Sequence, residues 1–311
     1  MVLARAITLV ESHLDSDAEL ASRVIERCLP RTGQARRAGI TGSPGVGKST
    51  FIETLGTHLT TDRQETVAVL SVDPSSAISG GSVLGDKTRM ERLATDPRAF
   101  VRPSPSRGHL GGVARRTREA MLLCEAAGYQ NVLVETVGVG QSETSVRSMV
   151  DFFLLLILPG AGDELQGIKR GIFEMSDLIA VNKADGDNRQ RADRARQEYE
   201  SALHLFRAGA DGWVPRVVTC SALNRDSIAE VWQIVLQHRA QLEANGWFER
   251  RRREQALEWM KEALLYEIEE ELRRDVVVDE RFAASRCEVA EGRLSPFLAA
   301  RELLALFRRR Q

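Results

Sequence analysis

The sequence predicts an α/β domain with a mostly parallel, doubly wound sheet, and three observations carry that expectation. Seven short aliphatic runs recur at 38–41, 67–72, 100–101, 132–134, 152–158, 178–181 and 217–220. They are apolar throughout rather than alternating, the pattern of strands covered on both faces. The intervals between them hold a crossover helix, and residues with chemical capability follow the runs, where open α/β sheets gather their ligands.

Ahead of the first run, Leu3, Ile7, Val10 and Leu14, then Leu20, Val24 and Cys28, recur at three- and four-residue steps. This spacing predicts amphipathic helix, closed by Pro30 and Gly33. Beyond Gln241 the texture changes again. Gly246 interrupts it, Arg250 to Arg253 follow, and Leu257, Met260, Leu264, Ile268 and Leu272 keep helical spacing. A further helix is expected over 294–310, with Pro296 near its start, where proline is tolerated. The expected division is a helical extension over 1–36, the α/β domain over 37–240 and a helical arm over 241–311.

Composition excludes several classes. The 43 Lys+Arg against 44 Asp+Glu in 311 residues leave a net charge of -1, so no nucleic-acid partner is expected. The Arg250–Arg253 run, flanked by Glu249 and Glu254, reads as a solvated or intersubunit helix face. Cys28, Cys124, Cys220 and Cys287 stand alone, without disulfide or zinc spacing, and imply a reducing cytoplasmic setting. The longest apolar run, 152–158, has seven residues. A membrane span needs roughly 20, so no membrane partner is expected.

The first strand runs into Gly42-Ser43-Pro44-Gly45-Val46-Gly47-Lys48-Ser49-Thr50, which fits GxxxxGK[ST]. Its glycines let backbone N–H groups wrap a phosphate ahead of a helix N-terminus. Lys48 can reach the β- and γ-phosphates, and the Ser49 hydroxyl can ligate Mg²⁺. A chance glycine-rich turn would not be followed by the apolar face of Phe51, Ile52 and Leu55.

The second strand leads to Asp73, which can hold Mg²⁺ through water or orient the attacking water; an Asx turn is the plainer alternative. The glycine-rich stretch 79–87 suits a segment ordered by a γ-phosphate, or simply a surface loop. The run 132–134 ends in Glu135, an acidic residue in the Walker B position, and Gly138 follows for a backbone approach to the γ-phosphate. No glutamine directly follows that glycine, so slow intrinsic hydrolysis is expected, with a partner needed to complete the site.

About 140 residues after the P-loop, Asn182-Lys183-Ala184-Asp185 matches the NKxD pattern that reads guanine. The Asp185 carboxylate accepts from the ring N–H and exocyclic amine, whereas adenine would leave it unpaired. Lys183 lays its stem along the base. Ser221, Ala222 and Leu223 close the last strand, where backbone amides can line the base and Ser221 can also cap a helix. The ligand expected from these residues is Mg²⁺ with GTP or GDP.

Several stretches together resemble one family. Besides the motifs above they are 3–11, Val72-Asp73-Pro74-Ser75-Ser76, 80–90, 102–106, 110–114 and 135–143. The chain resembles the MeaB/ArgK family of P-loop GTPases, relatives of the mitochondrial MMAA protein, from the N-terminal helix to at least Ala222. The resemblance implies a P-loop NTPase fold of the SIMIBI type, with N-terminal helices and a C-terminal dimerisation arm. It also implies a GTPase chaperone of an adenosylcobalamin-dependent acyl-CoA mutase, chiefly methylmalonyl-CoA mutase, that gates cofactor loading, protects the mutase and is stimulated by it. Carried over by motif, Ser49, Asp73, Asp86 and Glu135 would surround Mg²⁺, with Lys48, Asp73 and Glu135 serving catalysis. Asp163, Glu164 and Lys169 would form a further switch that reports the nucleotide state.

Departures from the family are Ala77, Arg107 and His109. They leave the nucleotide motifs intact and bear on the partner. Three alternatives are kept: the same chemistry serving isobutyryl-CoA mutase or a related mutase, a kinase or transport ATPase of the ArgK type, and a nickel-insertion GTPase. The absence of a Cys/His cluster counts against the last.

Overall fold

The computed structural model describes residues 2–12, 14–72, 90–103, 110–136, 142–160, 170–203 and 209–310. They separate into two compact units, Met1–Gln255 and Ala256–Gln311.

In the first unit, seven strands form one sheet: β1 (Arg36–Gly42), β2 (Val67–Val72), β3 (Ala99–Arg102), β4 (Asn131–Thr136), β5 (Phe152–Ile157), β6 (Leu178–Val181) and β7 (Arg216–Thr219). The order is β3-β2-β4-β1-β5-β6-β7, and every neighbouring pair is parallel. Every predicted run is a strand. The apolar pattern has its reason in the strand order: β2, β4, β5 and β6 are buried along their whole length, while the edge strands β3 and β7 are only partly covered.

The crossover helices are α3 (Lys48–Thr57), α4 (Glu91–Thr95), α5 (Leu110–Ala126), α6 (Ser142–Arg147), α7 (Arg170–Met175) and α8 (Arg189–Leu203); α1 (Val2–Val10) and α2 (Asp15–Cys28) precede the sheet and α9 (Ile228–Ala244) follows its last strand. α1 and α2 pack on each other and on α5, with Ile7 fully buried as the helical spacing requires.

A buried ionic network ties together the starts of the strands. Arg37 Nε donates to Glu125 Oε1 at 2.5 Å, and Asp151 accepts from the Arg37 backbone N–H at 3.0 Å. Arg252 donates to both Asp151 oxygens at 2.6 Å. The Arg250–Arg253 run is therefore not uniformly solvated. Arg250 pairs with exposed Glu254, while Arg252 turns inward to compensate a buried carboxylate that would otherwise be costly.

Helix α10 (Trp247–Arg274) continues into the second unit, which also holds α11 (Val276–Ala290) and α12 (Pro296–Arg308). The sequence reading foresaw the first and last of these but not the break between α10 and α11. That break is made by Asp275, whose carboxylate accepts from the N–H groups of Val277 and Val278 at 3.1 and 3.2 Å. Arg310 donates to the same carboxylate at 2.8 Å and closes the α11–α12 hairpin. No described helix is long and apolar enough to cross a membrane.

Candidate nucleotide site

β1 ends at Gly42 and α3 begins at Lys48, so the P-loop fills the turn between them at the carboxyl edge of the sheet. The turn is tight enough to require its glycines. A Cβ on Gly42 would lie 2.4 Å from the carbonyl oxygen of Leu156 on the neighbouring strand. Gly47 has φ +94°, and a Cβ there would meet Asn182 Nδ2 at 2.9 Å. Val46, fully buried, pins the loop into the core.

Lys48 Nζ donates to the carbonyls of Gly42 at 2.6 Å and Ser43 at 3.2 Å, folding its stem back over the loop. Burial pulls its pKa below the ordinary lysine value, while the carboxylates of Glu135 and Glu143 oppose that shift. The Ser49 hydroxyl donates to Glu135 Oε1 at 3.1 Å. Glu135 lies within β4, in register with Ile40 of β1, and is 3% exposed. The next residue, Thr136, donates its hydroxyl to that of Thr41 at 2.9 Å, which fixes the end of β4 against the end of β1.

The guanine motif leaves β6 and is bound to the same loop. Buried Asn182 donates from Nδ2 to the Val46 carbonyl at 2.9 Å and accepts at Oδ1 from the Ala222 N–H at 3.1 Å. Lys183 Nζ donates to the Gly45 carbonyl at 2.8 Å. Asp185 Oδ2 accepts from the Ser221 hydroxyl at 2.5 Å, and Ser221 Oγ in turn accepts from the Asn224 N–H at 3.1 Å. Asn182 thus serves as a staple between the P-loop and the 221–224 loop, and Asp185 is aimed by Ser221.

The structure brings together Ser43 to Thr50, Glu135, Asn182, Lys183, Asp185 and Ser221 to Leu223. Asp73, Asp86, Gly138, Arg107, His109, Asp163, Glu164 and Lys169 lie outside the described residues. Two contributors escaped the sequence reading. Glu143, buried at the start of α6, acts on Lys48 through its charge. Thr54 of α3 donates its hydroxyl to the Ala222 carbonyl at 2.8 Å. A position one helical turn beyond Thr50 carries no motif, so only the contact itself reveals it.

Chemically, the described residues of the site combine a backbone cradle, the ammonium groups of Lys48 and Lys183, and a hydroxyl beside a buried carboxylate. Ser49 Oγ and the Glu135 carboxylate are hard oxygen donors placed side by side, the ligand type Mg²⁺ selects. Cys220 is buried beside this loop, and burial pushes its thiol up to about 12, which leaves it protonated and inert.

Comparison with known proteins agrees with this geometry. A family model described as methylmalonyl-CoA mutase-associated GTPase MeaB matches residues 3–276. The GTPase ArgK of Escherichia coli K12 is 48% identical over 301 residues, covering 97% of this chain and 91% of that protein. The mitochondrial methylmalonic aciduria type A homolog of Mus musculus is 45% identical over 318 residues, covering 99% of this chain and 76% of that protein. A crystal structure titled LAO/AO transport system kinase superposes with a TM-score of 0.76 at 40% identity, covering 98% of this chain and 92% of that one.

Proposed function

Because the chain belongs to the MeaB family of methylmalonyl-CoA mutase-associated GTPases, we propose that it is a Mg²⁺-dependent chaperone of an adenosylcobalamin-dependent acyl-CoA mutase. In this reading GTP binding and hydrolysis gate cofactor loading and protect the mutase. The observation that carries it is the direct bonding of the guanine motif to the phosphate loop, Asn182 to the Val46 carbonyl and Lys183 to the Gly45 carbonyl, beside the Ser49–Glu135 pair, in a chain matching the family over residues 3–276.

The backbone amides of residues 43–50 hold the phosphates, and Lys48 exchanges its carbonyl partners for phosphate oxygens. Ser49 and Glu135, with Asp73 and Asp86 by the resemblance, would hold Mg²⁺, which when bound neutralises charge between the β- and γ-phosphates. Asp73 would hold Mg²⁺ through water or orient the attacking water. Asp185, aligned by Ser221, accepts from the two guanine donors, so that adenine is refused by an unpaired carboxylate. Asp163, Glu164 and Lys169 would relay the nucleotide state to the mutase.

Residues 241–311 would form the dimerisation arm of a homodimer, following the helical extension 1–36 and the GTPase domain 37–240. The exposed Leu257, Met260 and Leu264 support this, since an apolar helix face in water favours a partner. Four unpaired cysteines support a cytoplasmic setting.

The test is GTP hydrolysis with and without methylmalonyl-CoA mutase and isobutyryl-CoA mutase. Stimulation of about tenfold or more by one of them identifies the client, because a partner completes a site with slow intrinsic turnover. An unchanged rate and no complex with any adenosylcobalamin mutase rejects the chaperone reading.

A further inference from the structure

The base-reading loop is held from a direction that no nucleotide motif supplies. Ser221 is tied to Asp185, and the Ala222 N–H is taken by Asn182. The Ala222 carbonyl is held separately, at 2.8 Å, by the hydroxyl of Thr54 on the helix that follows the P-loop. The peptide between Ala222 and Leu223 is trans, so its C=O and N–H point in opposite directions. Holding the carbonyl against α3 therefore turns the Leu223 N–H away from α3. That N–H makes no hydrogen bond among the described residues, and Leu223 is 78% exposed. It is a preset donor in a loop whose neighbouring carboxylate, Asp185, already matches the donor edge of guanine.

We propose that Thr54 is a positioning residue for guanine recognition: its hydroxyl fixes the Ala222–Leu223 peptide so that the Leu223 N–H meets the O6 acceptor of the base. The inference rests on the reading that Asp185 and residues 221–223 meet guanine. O6 is the atom at which guanine accepts and adenine, with its amine, donates. An aligned N–H there adds discrimination to that of Asp185, and α3 couples the phosphate cradle to the base loop. Thr54 touches no substrate atom; it acts through a peptide plane.

The experiment uses the full chain and measures affinity for GDP and for the diphosphate of 2-aminopurine riboside, which keeps the exocyclic amine but lacks O6 and, with it, the N1–H. Thr54→Val keeps the shape and removes the hydroxyl. Its expected effect is a GDP affinity about fivefold weaker, the size of one aligned hydrogen bond, with the 2-aminopurine nucleotide unchanged. Thr54→Ser restores GDP binding. An equal loss for both nucleotides, no loss for GDP, or no rescue by serine overturns the proposal, because a merely structural threonine would not distinguish an O6 atom. Asp185→Asn in parallel tests the underlying reading and is expected to shift preference from GDP to xanthosine diphosphate. If it does not, guanine reading by this loop fails, and the Thr54 inference with it. If it does while Thr54→Val is silent, only the inference fails.

Discussion

Glu135 shows at the scale of one residue how a charge acquires a role. It sits 3% exposed inside β4, accepts from Ser49 at 3.1 Å and opposes the burial-driven fall of the Lys48 pKa. Glu135→Gln keeps the shape and the acceptor oxygen but removes the charge. We expect kcat for GTP hydrolysis to fall about 100-fold, the lower end of the usual contribution of a positioned acid–base group, with Mg²⁺-free GDP affinity within about twofold of the parent. Parallel kinetics and fluorescent-GDP titration check both halves; an unaltered kcat would remove Glu135 from the catalytic set. The sequence marked this residue because the carboxylate follows an apolar run downstream of a P-loop. It assigned no role to Glu143 or Thr54. Glu143 looks like any first-turn glutamate until the fold buries it, and Thr54 like any helix threonine until α3 is laid against β7's loop.

At the scale of elements, α9 and the start of β6 share a buried polar cluster with no counterpart in the motifs. His238 of α9 is 1% exposed, with its ring edge-on to Phe152 at 5.1 Å and to Trp213 at 4.8 Å. Its Nε2 lies 3.9 Å from Asp177, whose carboxylate accepts from Arg147 at 2.9 and 3.1 Å and from the Phe153 N–H at 2.8 Å. Burial pushes the His238 pKa down, and the attraction of Asp177, opposed by Arg147, only partly offsets it; Asp211 and Asp151 also raise it. The sign follows. The unfolded chain takes up the proton first as pH falls, so the stability His238 contributes is complete above about 6.5 and is lost as pH drops toward the depressed folded value. His238→Gln should flatten the decline in urea-unfolding stability between pH of about 7 and 5. An unchanged slope means that other groups carry the acid sensitivity. Nothing in the local sequence around His238 announces this, since its partners come from segments 25 to 90 residues away.

At the scale of the whole molecule, the second unit leaves Leu257, Met260, Leu264 and Leu265 about 60% exposed (62, 65, 60 and 58%). If these side chains form the homodimer contact, Leu264→Glu places an unpaired charge in an apolar interface and should raise the dimer dissociation constant about tenfold or more. Sedimentation equilibrium reads this directly, and a variant as dimeric as its parent would exclude this face. The amino-acid sequence by itself determined the class of fold, because continuous aliphatic runs of strand length are stable only between two layers of helix. It determined the P-loop and guanine motifs as well, because phosphate wrapping and base pairing demand particular residue types at short spacing. Tertiary structure alone decided what those motifs touch. Asn182 became a staple, Arg252 turned inward to Asp151 and Thr54 met Ala222 because strand order brings together residues about 100 to 170 positions apart. Burial then sets the energy of each contact, and no local pattern encodes either the partner or the burial.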